Sequence, residues 1–239
     1  MIGALVLKMS RRDDVSAEER RALEDLLEPE RHVAAGASII KPGDRPTSST
    51  LLLSGYAARY SFLEDGGRQL TELNLAGDFI DLHSFLMKQM DHGVLALSDC
   101  VIAGAPHVAL RRITEEHPHL TRLLWLETVI DAAIHRQWLV AMGRQNAISR
   151  LAHLICEIYL RLEAAGLAEA HEFSIPLTQT DLSDMLGVTA VHVNRVLKDL
   201  RGLSLIEWKG ARVEILDWGR LCHLAQFDGA YLRLQREPV

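Results

Sequence analysis

The chain has 239 residues, 48% of them hydrophobic, and a formal net charge of −6 from 26 Lys and Arg against 32 Asp and Glu. That length accommodates two domains with proper cores, and the acidic balance excludes blanket electrostatic attachment to nucleic acid, so any affinity for it must come from a local surface. The three cysteines, Cys100, Cys156 and Cys222, are far apart and form no C-x-x-C, which points to a reducing cytoplasm and away from a thiolate zinc site or a cysteine-ligated iron–sulfur cluster. At the start, Ile2–Leu7 is apolar but too short for a membrane span, and it lacks the basic flank and cleavage site of a leader. A soluble cytoplasmic protein is expected.

Ser16 and Glu19 form a capping box, and Ala22, Leu23, Leu26 and Leu27 give a surface helix its buried side before Pro29 ends it. From His32 to Leu110 the period shortens and turn residues multiply. Short strands at Ser38–Ile40, Thr50–Leu53, Ala57–Leu63 and Gln69–Leu75, separated by Gly- and Asp-rich turns, predict a small β-barrel or roll. Pro118 opens a helical run to about Met142. Leu120, Leu123, Ile130, Ile134 and Ala141 lie near one side of it, and Leu126, Val129, Ala133 and Val140 on another. A helix apolar on two sides needs two partners: the β-domain and, by expectation, the same helix of a second subunit in a parallel dimer. Leu123, Leu126, Ile130, Ala133, Ile134, Gln137 and Ala141 are the candidate contact residues, with a core helix inside one subunit as the alternative. Gly143 is expected to break the run and Asn146 to cap the next helix, Ala147–Leu162, which places a hinge at Met142–Asn146.

After a loop and a short strand, Phe173–Pro176, the stretch from Leu177 to Trp208 carries the strongest signal. Thr178 with Asp181 is a capping-box pair, Leu182, Met185 and Leu186 form an apolar stripe, and Gly187 stops the helix. Thr189 caps a second helix whose Val193, Val196, Leu197 and Leu200 share one face. The opposite face carries His192, Asn194, Arg195 and Lys198. This is the helix-turn-helix pattern. Arg195 can meet guanine O6 and N7 with two parallel N–H groups, Asn194 can bridge adenine N6 and N7, and Lys198 and Arg201 can neutralise phosphates. Leu205–Trp208 and Arg212–Ile215, joined by Lys209-Gly210-Ala211, form a hairpin that makes a wing with Lys209 and Arg212 near its tip. Asp217–Leu234 is expected to be a final amphipathic helix.

The order of parts resembles the Crp/Fnr family of bacterial transcription regulators over about residues 15–216. The resemblance rests on Leu177-Thr178-Gln179-Thr180-Asp181-Leu182 with Gly187, Thr189 and Val193-Asn194-Arg195, and in the roll on Lys41-Pro42-Gly43-Asp44, Leu52-Leu53-Ser54-Gly55 and Ala76-Gly77-Asp78-Phe79-Ile80. It implies an α+β chain with three parts. Residues 1–115 would be a double-stranded β-helix or jelly-roll sensor domain of cyclic-nucleotide-binding type, 116–145 a dimerisation helix and hinge, and 146–239 a winged helix-turn-helix domain. It further implies a homodimer on a two-fold symmetric operator in double-stranded DNA, with RNA polymerase as a partner. The DNA-contact set is then Thr178, Gln179, Thr180, Thr189, Val191, His192, Asn194, Arg195, Lys198 and Lys209.

Three departures from the family matter. In cyclic-AMP-binding members a Glu holds the ribose and a downstream Arg the phosphate. Here Leu82 falls in the place of that Glu, and Met90–Leu97 contains no Arg, so a buried cyclic phosphate would lack a cationic partner. The oxygen-sensing branch carries clustered N-terminal cysteines, and none precedes Cys100. Cyclic AMP and an Fnr-type cluster are therefore not expected. The effector is left open, with Asp81, Leu82, His83, Ser84, His92, His135 and Arg136 as candidate pocket residues. A haem- or metal-based sensor using the histidines and an effector-independent regulator are the alternatives. In the second helix, Val191 stands where many relatives carry a cytosine-reading Glu, so the half-site should keep a guanine contact and differ otherwise. No phosphate loop, G-x-S-x-G or H-E-x-x-H occurs, and the adjacent Glu115 and Glu116 point to different helix sides, so no enzyme is expected. A signalling subunit whose helix-turn-helix contacts protein is the remaining competitor.

Overall fold

The computed structural model describes residues 2–239. The chain opens with helix α1 (Gly3–Ser10) and the capping-boxed α2 (Ala17–Leu26). Strands β1 (Arg31–Val33), β2 (Ser38–Ile40), β3 (Ser48–Ser54), β4 (Tyr56–Phe62) and β5 (Arg68–Leu75) follow. After a one-turn helix α3 (Ser84–Met87) come β6 (Gly93–Ala96) and β7 (Cys100–Pro106). The seven strands make two antiparallel sheets, β1-β7-β3 and β2-β6-β4-β5. Between them lie Val33, Ile40, Leu52, Ala57, Ile80, Met90, Val94, Ala96, Cys100 and Ile102, the alternate residues that a period of two aims inward.

Helix α4 (His107–Glu116) leads to α5 (Pro118–Arg144), 27 residues and roughly 40 Å long at about 1.5 Å per residue. Its Leu120, Leu123 and Leu124 join Leu5, Met9, Leu23, Leu26 and Ile113 in a second cluster beneath the roll. Helix α1 has no counterpart among the elements expected from the sequence. It packs so closely on the Ala76-Gly77-Asp78 turn that a Cβ on Gly77 would sit 2.8 Å from the Leu5 backbone nitrogen, and Gly77 also has φ of +89°. Only glycine meets both demands.

The second half comprises α6 (Ala147–Ala164), β8 (Glu172–Ser174), α7 (Gln179–Leu186), α8 (Ala190–Gly202), β9 (Ile206–Lys209), β10 (Arg212–Ile215) and α9 (Trp218–Ala225), then a 3-10 turn at Gly229–Leu232. Gly143 does not break α5. The helix runs on to Arg144, and the break falls at Gln145 in extended conformation, with Asn146 accepting the Ser149 N–H as cap of α6. A Cβ at Gly143 would meet nothing within 4 Å, so this glycine costs the helix only its intrinsic propensity, about 1 kcal/mol. The expected C-terminal helix is likewise interrupted, since Gln226 turns left-handed after α9.

The halves share one core. Strand β4 is buried on both faces: Ala57 and Arg59 face the roll interior, while Ala58 and Tyr60 join Leu70, Leu73 and Leu75 of β5 in a cluster with α6, α7 and α8. Charges cross the same boundary. Arg161 of α6 donates to Asp78 Oδ2 at 2.8 Å and to the Leu73 carbonyl at 2.8 Å. Lys8 of α1 also holds Asp78, and it reaches Glu127 of α5 at 3.1 Å. Burial alone would raise the Asp78 carboxyl, but these two cations hold it down at about 2. At the far end, residues 233–239 lie against the turn after α1: Glu237 N–H donates to the Arg12 carbonyl, and Val239 N–H donates to Asp13.

Candidate nucleic-acid interface and sensor interior

In the C-terminal half the predicted local chemistry is present bond by bond. Thr178 Oγ1 accepts the Asp181 N–H at 3.1 Å, and Asp181 accepts the Thr178 N–H at 3.0 Å. Gly187 closes α7 at φ of 62°, and Thr189 accepts the His192 N–H to start α8. Val193, Val196, Leu197 and Leu200 are buried, which turns Val191, Asn194, Arg195 and Lys198 outward and leaves His192 half-buried. Thr178, Gln179, Thr180 and Thr189 are also exposed at the two helix N-termini. Strands β8, β10 and β9 form the wing sheet in that order, so the strand before the helix-turn-helix is part of the wing.

The cations of this surface fall into two groups. Lys209 pairs with Glu207, and Arg212 pairs with Glu172 at 2.7 Å and Glu214 at 3.5 Å. Such exposed pairs are worth little and yield readily to phosphate. Among the described residues, Arg195 and Lys198 make no ion pair or side-chain hydrogen bond. Asn194 is held by Gln179 in a reciprocal amide pair, Gln179 Nε2 to Asn194 Oδ1 at 2.7 Å and Asn194 Nδ2 to Gln179 Oε1 at 2.6 Å. That pair fixes the Asn194 amide plane beside Arg195 while leaving one N–H on each amide free.

The roll interior differs from the expected pocket. Its centre is Arg59, which donates to Glu72, to Asp131 of α5 at 3.2 Å and to the Ile80 carbonyl at 2.9 Å. His135 Nδ1 donates to the Asp131 carbonyl, and its Nε2 lies 3.3 Å from Glu72. Burial and the neighbouring Glu72 push Asp131 up to about 8. His83 and His92 stand together with ring centroids 5.1 Å apart. Burial and Arg59 lower His83 to about 4, and burial lowers His92 too. Both rings carry a buried Nε2 with no partner.

The other expected pocket residues serve elsewhere. Asp81 is buried, accepts the Thr50 N–H and Ser84 Oγ, and is pushed up to about 6 by burial. Ser84 also lies 3.2 Å from His107 Nε2. Leu82 packs in the cluster beneath the roll. Arg136 is a correction: it is exposed on the outer side of α5, in a groove with Leu126, Val129, Ala133, Tyr231 and Arg233, away from the histidines. Arg59, Glu72 and Asp131 do not figure among the residues singled out from the sequence. The signal for the first two is a pair of opposite charges, Arg59 and Glu72, in the middle of the strands β4 and β5. Among the described residues, no group of three or more His, Cys, Asp or Glu has metal-binding placement.

The dimer-contact set also needs correction. Leu123, Ile130, Ile134 and Ala141 are buried within one chain, because the α5 face that carries them is the one the roll and α6 cover. Leu126, Ala133 and Gln137 are half-buried. The face left open carries Trp125 (69% exposed), Val129, Ala132, Arg136, Leu139 (73%) and Val140.

A jelly-roll, a long connecting helix and a winged helix-turn-helix with a free Arg195–Lys198 face define a two-domain DNA-binding transcription regulator. Residues 30–117 match the cyclic nucleotide-binding domain and residues 149–224 the Crp-like helix-turn-helix domain, and the chain belongs to the Crp/Fnr family. It is 27% identical over 211 residues to electron transport regulator A of Shewanella oneidensis, covering 88% of this chain and 84% of that one. It is 28% identical over 202 residues to the transcriptional activator protein FnrL of Cereibacter sphaeroides, covering 83% and 81%. The fold is shared with FixK2 from Bradyrhizobium japonicum, at a TM-score of 0.74 and 22% identity over 82% of this chain and 96% of that chain. Among the described residues, no helix is long and apolar enough to cross a membrane.

Proposed function

We propose that this regulator acts as a cytoplasmic homodimer on a two-fold symmetric operator, each α8 entering one major groove. The observation that carries the reading is the exposed triad of Asn194, Arg195 and Lys198, in which both cations are unpaired and the amide is held by Gln179. Thr178, Gln179, Thr180 and Thr189 would add phosphate contacts at helix N-termini, Val191 and His192 would line the groove, and Lys209 would reach the backbone from the wing. The second copy is proposed to sit on the open face of α5. Trp125, Val129, Ala132, Arg136, Leu139 and Gly143 recur there at spacings of four and three, the seam of a parallel two-stranded coil. Contact with RNA polymerase is proposed from family membership alone.

Control by a cyclic nucleotide is not supported. Arg59, the buried cation of the roll, is already paired with Glu72 and hydrogen-bonded to Asp131, and a phosphate would have to displace both side chains. A second reading, a sensor whose ligand is held by imidazole nitrogen, rests on the two unpartnered Nε2 atoms of His83 and His92. An absorbance spectrum of freshly purified protein, with mass spectrometry of the small molecules released on denaturation, tests it.

The test of the main reading is selection of an operator from random duplexes, then titration with wild type and Arg195→Ala. A symmetric site bound by two chains is expected. The substitution should cost about 1–3 kcal/mol and relax preference at one base pair. An equal loss on every sequence would make Arg195 a phosphate contact, and absence of a steep salt dependence would remove DNA as the partner.

A further inference from the structure

Cys156 of α6 and Cys222 of α9 lie 66 positions apart in sequence, yet their sulfurs face each other at 3.9 Å where the two helices pack. Both are free thiols, and neither lies on the DNA-facing surface or in the roll. Cys100, by contrast, is buried inside the roll with its S–H directed at the Tyr56 and Ser98 carbonyls. We propose that Cys156 and Cys222 form a reversible intramolecular disulfide in response to peroxide, making this helix pair a redox modification site of the DNA-binding domain.

The two partners are unequal in a way that assigns their roles. Cys222 is partly exposed, whereas Cys156 is fully buried. Either thiol can donate to the other across this contact. This hydrogen bond holds the Cys222 thiol below its ordinary range, and together with burial it pushes Cys156 up. Cys222, the partner that peroxide can reach, is therefore the attacking thiolate. Its sulfur forms a bond to one peroxide oxygen as the O–O bond breaks, and the departing hydroxide takes up a proton as water. The Cys156 sulfur then attacks the Cys222 sulfenic acid: the S–S bond forms, the S–O bond breaks, and the second hydroxide leaves with the Cys156 proton as water. Two thiols and one peroxide thus give one disulfide and two waters, and a dithiol reductant restores the pair. The sulfurs must close from 3.9 Å to about 2.05 Å. Helix α9, only eight residues long and released at Gln226, is the element that moves. The bond closes a covalent loop around β8, α7, α8 and the wing.

Full-length reduced protein exposed to micromolar hydrogen peroxide, alkylated and analysed by mass spectrometry tests this. The expected result is a loss of two hydrogens, one alkylatable thiol per chain (Cys100), a linked pair of peptides containing Cys156 and Cys222, and full reversal by dithiothreitol. C222S, at the partly exposed partner, should leave Cys156 reduced, and C156S should leave a sulfenic acid on Cys222 that dimedone captures. Three alkylatable thiols after peroxide in the wild type, a crosslink between chains, or direct passage of Cys222 to sulfinic acid would each overturn the proposal.

Discussion

Removing the Arg68 side chain should loosen the DNA-binding domain from the roll without unfolding either. Arg68 lies on β5, the edge strand of its sheet. Its Nε donates to Asp184 at 2.7 Å and its Nη2 to Asp181 at 3.0 Å, both on α7. The neighbouring Gln69 Nε2 adds a bond to the Asp184 carbonyl at 2.6 Å. The side chains are only 23%, 11% and 19% exposed, so water screens this fork incompletely. In Arg68→Ala, Asp181 keeps its bonds from Thr178, whereas Asp184 loses its side-chain partner. A charge-assisted hydrogen bond of this kind contributes about 1.5–3 kcal/mol. Allowing for partial screening, roughly 2–3 kcal/mol should leave the docked state, a shift of about 30- to 150-fold in its population ratio. Native-state hydrogen exchange is the assay: amides of α7 and of β5 facing it should exchange faster by that factor, while the β1-β7-β3 sheet stays unchanged. A double-mutant cycle with Asp184→Ala should show most of the loss as coupling. Unchanged exchange in α7, or a uniform increase across the molecule, would refute the latch.

Leu139→Lys alters a side chain that is 73% exposed within one chain, so the melting temperature of the subunit should hold. Sedimentation equilibrium should show monomers and operator affinity should collapse; a persisting dimer would place the interface elsewhere. Asp131 titrates near 8 when folded against an ordinary 3.8, so the native state holds a proton that the unfolded chain has released. Wild-type stability relative to Asp131→Asn should therefore fall as pH rises from about 4 to 8, by no more than about 1.4 kcal/mol per pH unit, and be flat above; urea midpoints across that range check it. Gly77→Ala should cost about 1–3 kcal/mol through its positive φ alone, more with the clash against Leu5, and detach α1, which protease sensitivity of residues 3–10 would report.

Features that are local in sequence are legible from the residues alone. Thr178, Asp181, Gly187, Thr189 and Asn146 signal helix ends through bonds to neighbours three or four residues away, and the hairpin of the wing announces itself at Gly210. Features that depend on distant partners are not. Lys8 is buried because Asp78 and Glu127 stand around it, and nothing within Gly3–Ser10 encodes those neighbours, so this short apolar stretch carries no helix signal of its own. The two apolar sides of α5 are visible in its periodicity, but which side the chain itself covers depends on where the roll sits. Grouping Leu123, Ile130 and Ile134 with Leu126 and Ala133 as dimer contacts follows from that ambiguity. Arg59 and Glu72 are paired across strands, and only the register shows that they neutralise each other.

The core shared across the Gln145–Asn146 bend has a bearing on how such regulators can be recombined. Tyr60, Leu70 and Leu73 of the roll touch the same cluster as Leu154, Leu182 and Val196, and Arg161 finds the second of its two carboxylates, Asp78, on the opposite side of the bend. The C-terminal half is thus no portable cassette. A chimera that carried residues 147–239 onto another sensor would bring along a guanidinium that keeps Glu157 but loses Asp78, and an apolar flank without its cover, unless the recipient supplied equivalents of Asp78, Arg68 and the outer face of β4 and β5. Altered operator preference is better sought by exchanging side chains on α8 in place, where Val191, Asn194, Arg195 and Lys198 project into solvent and owe nothing to the roll.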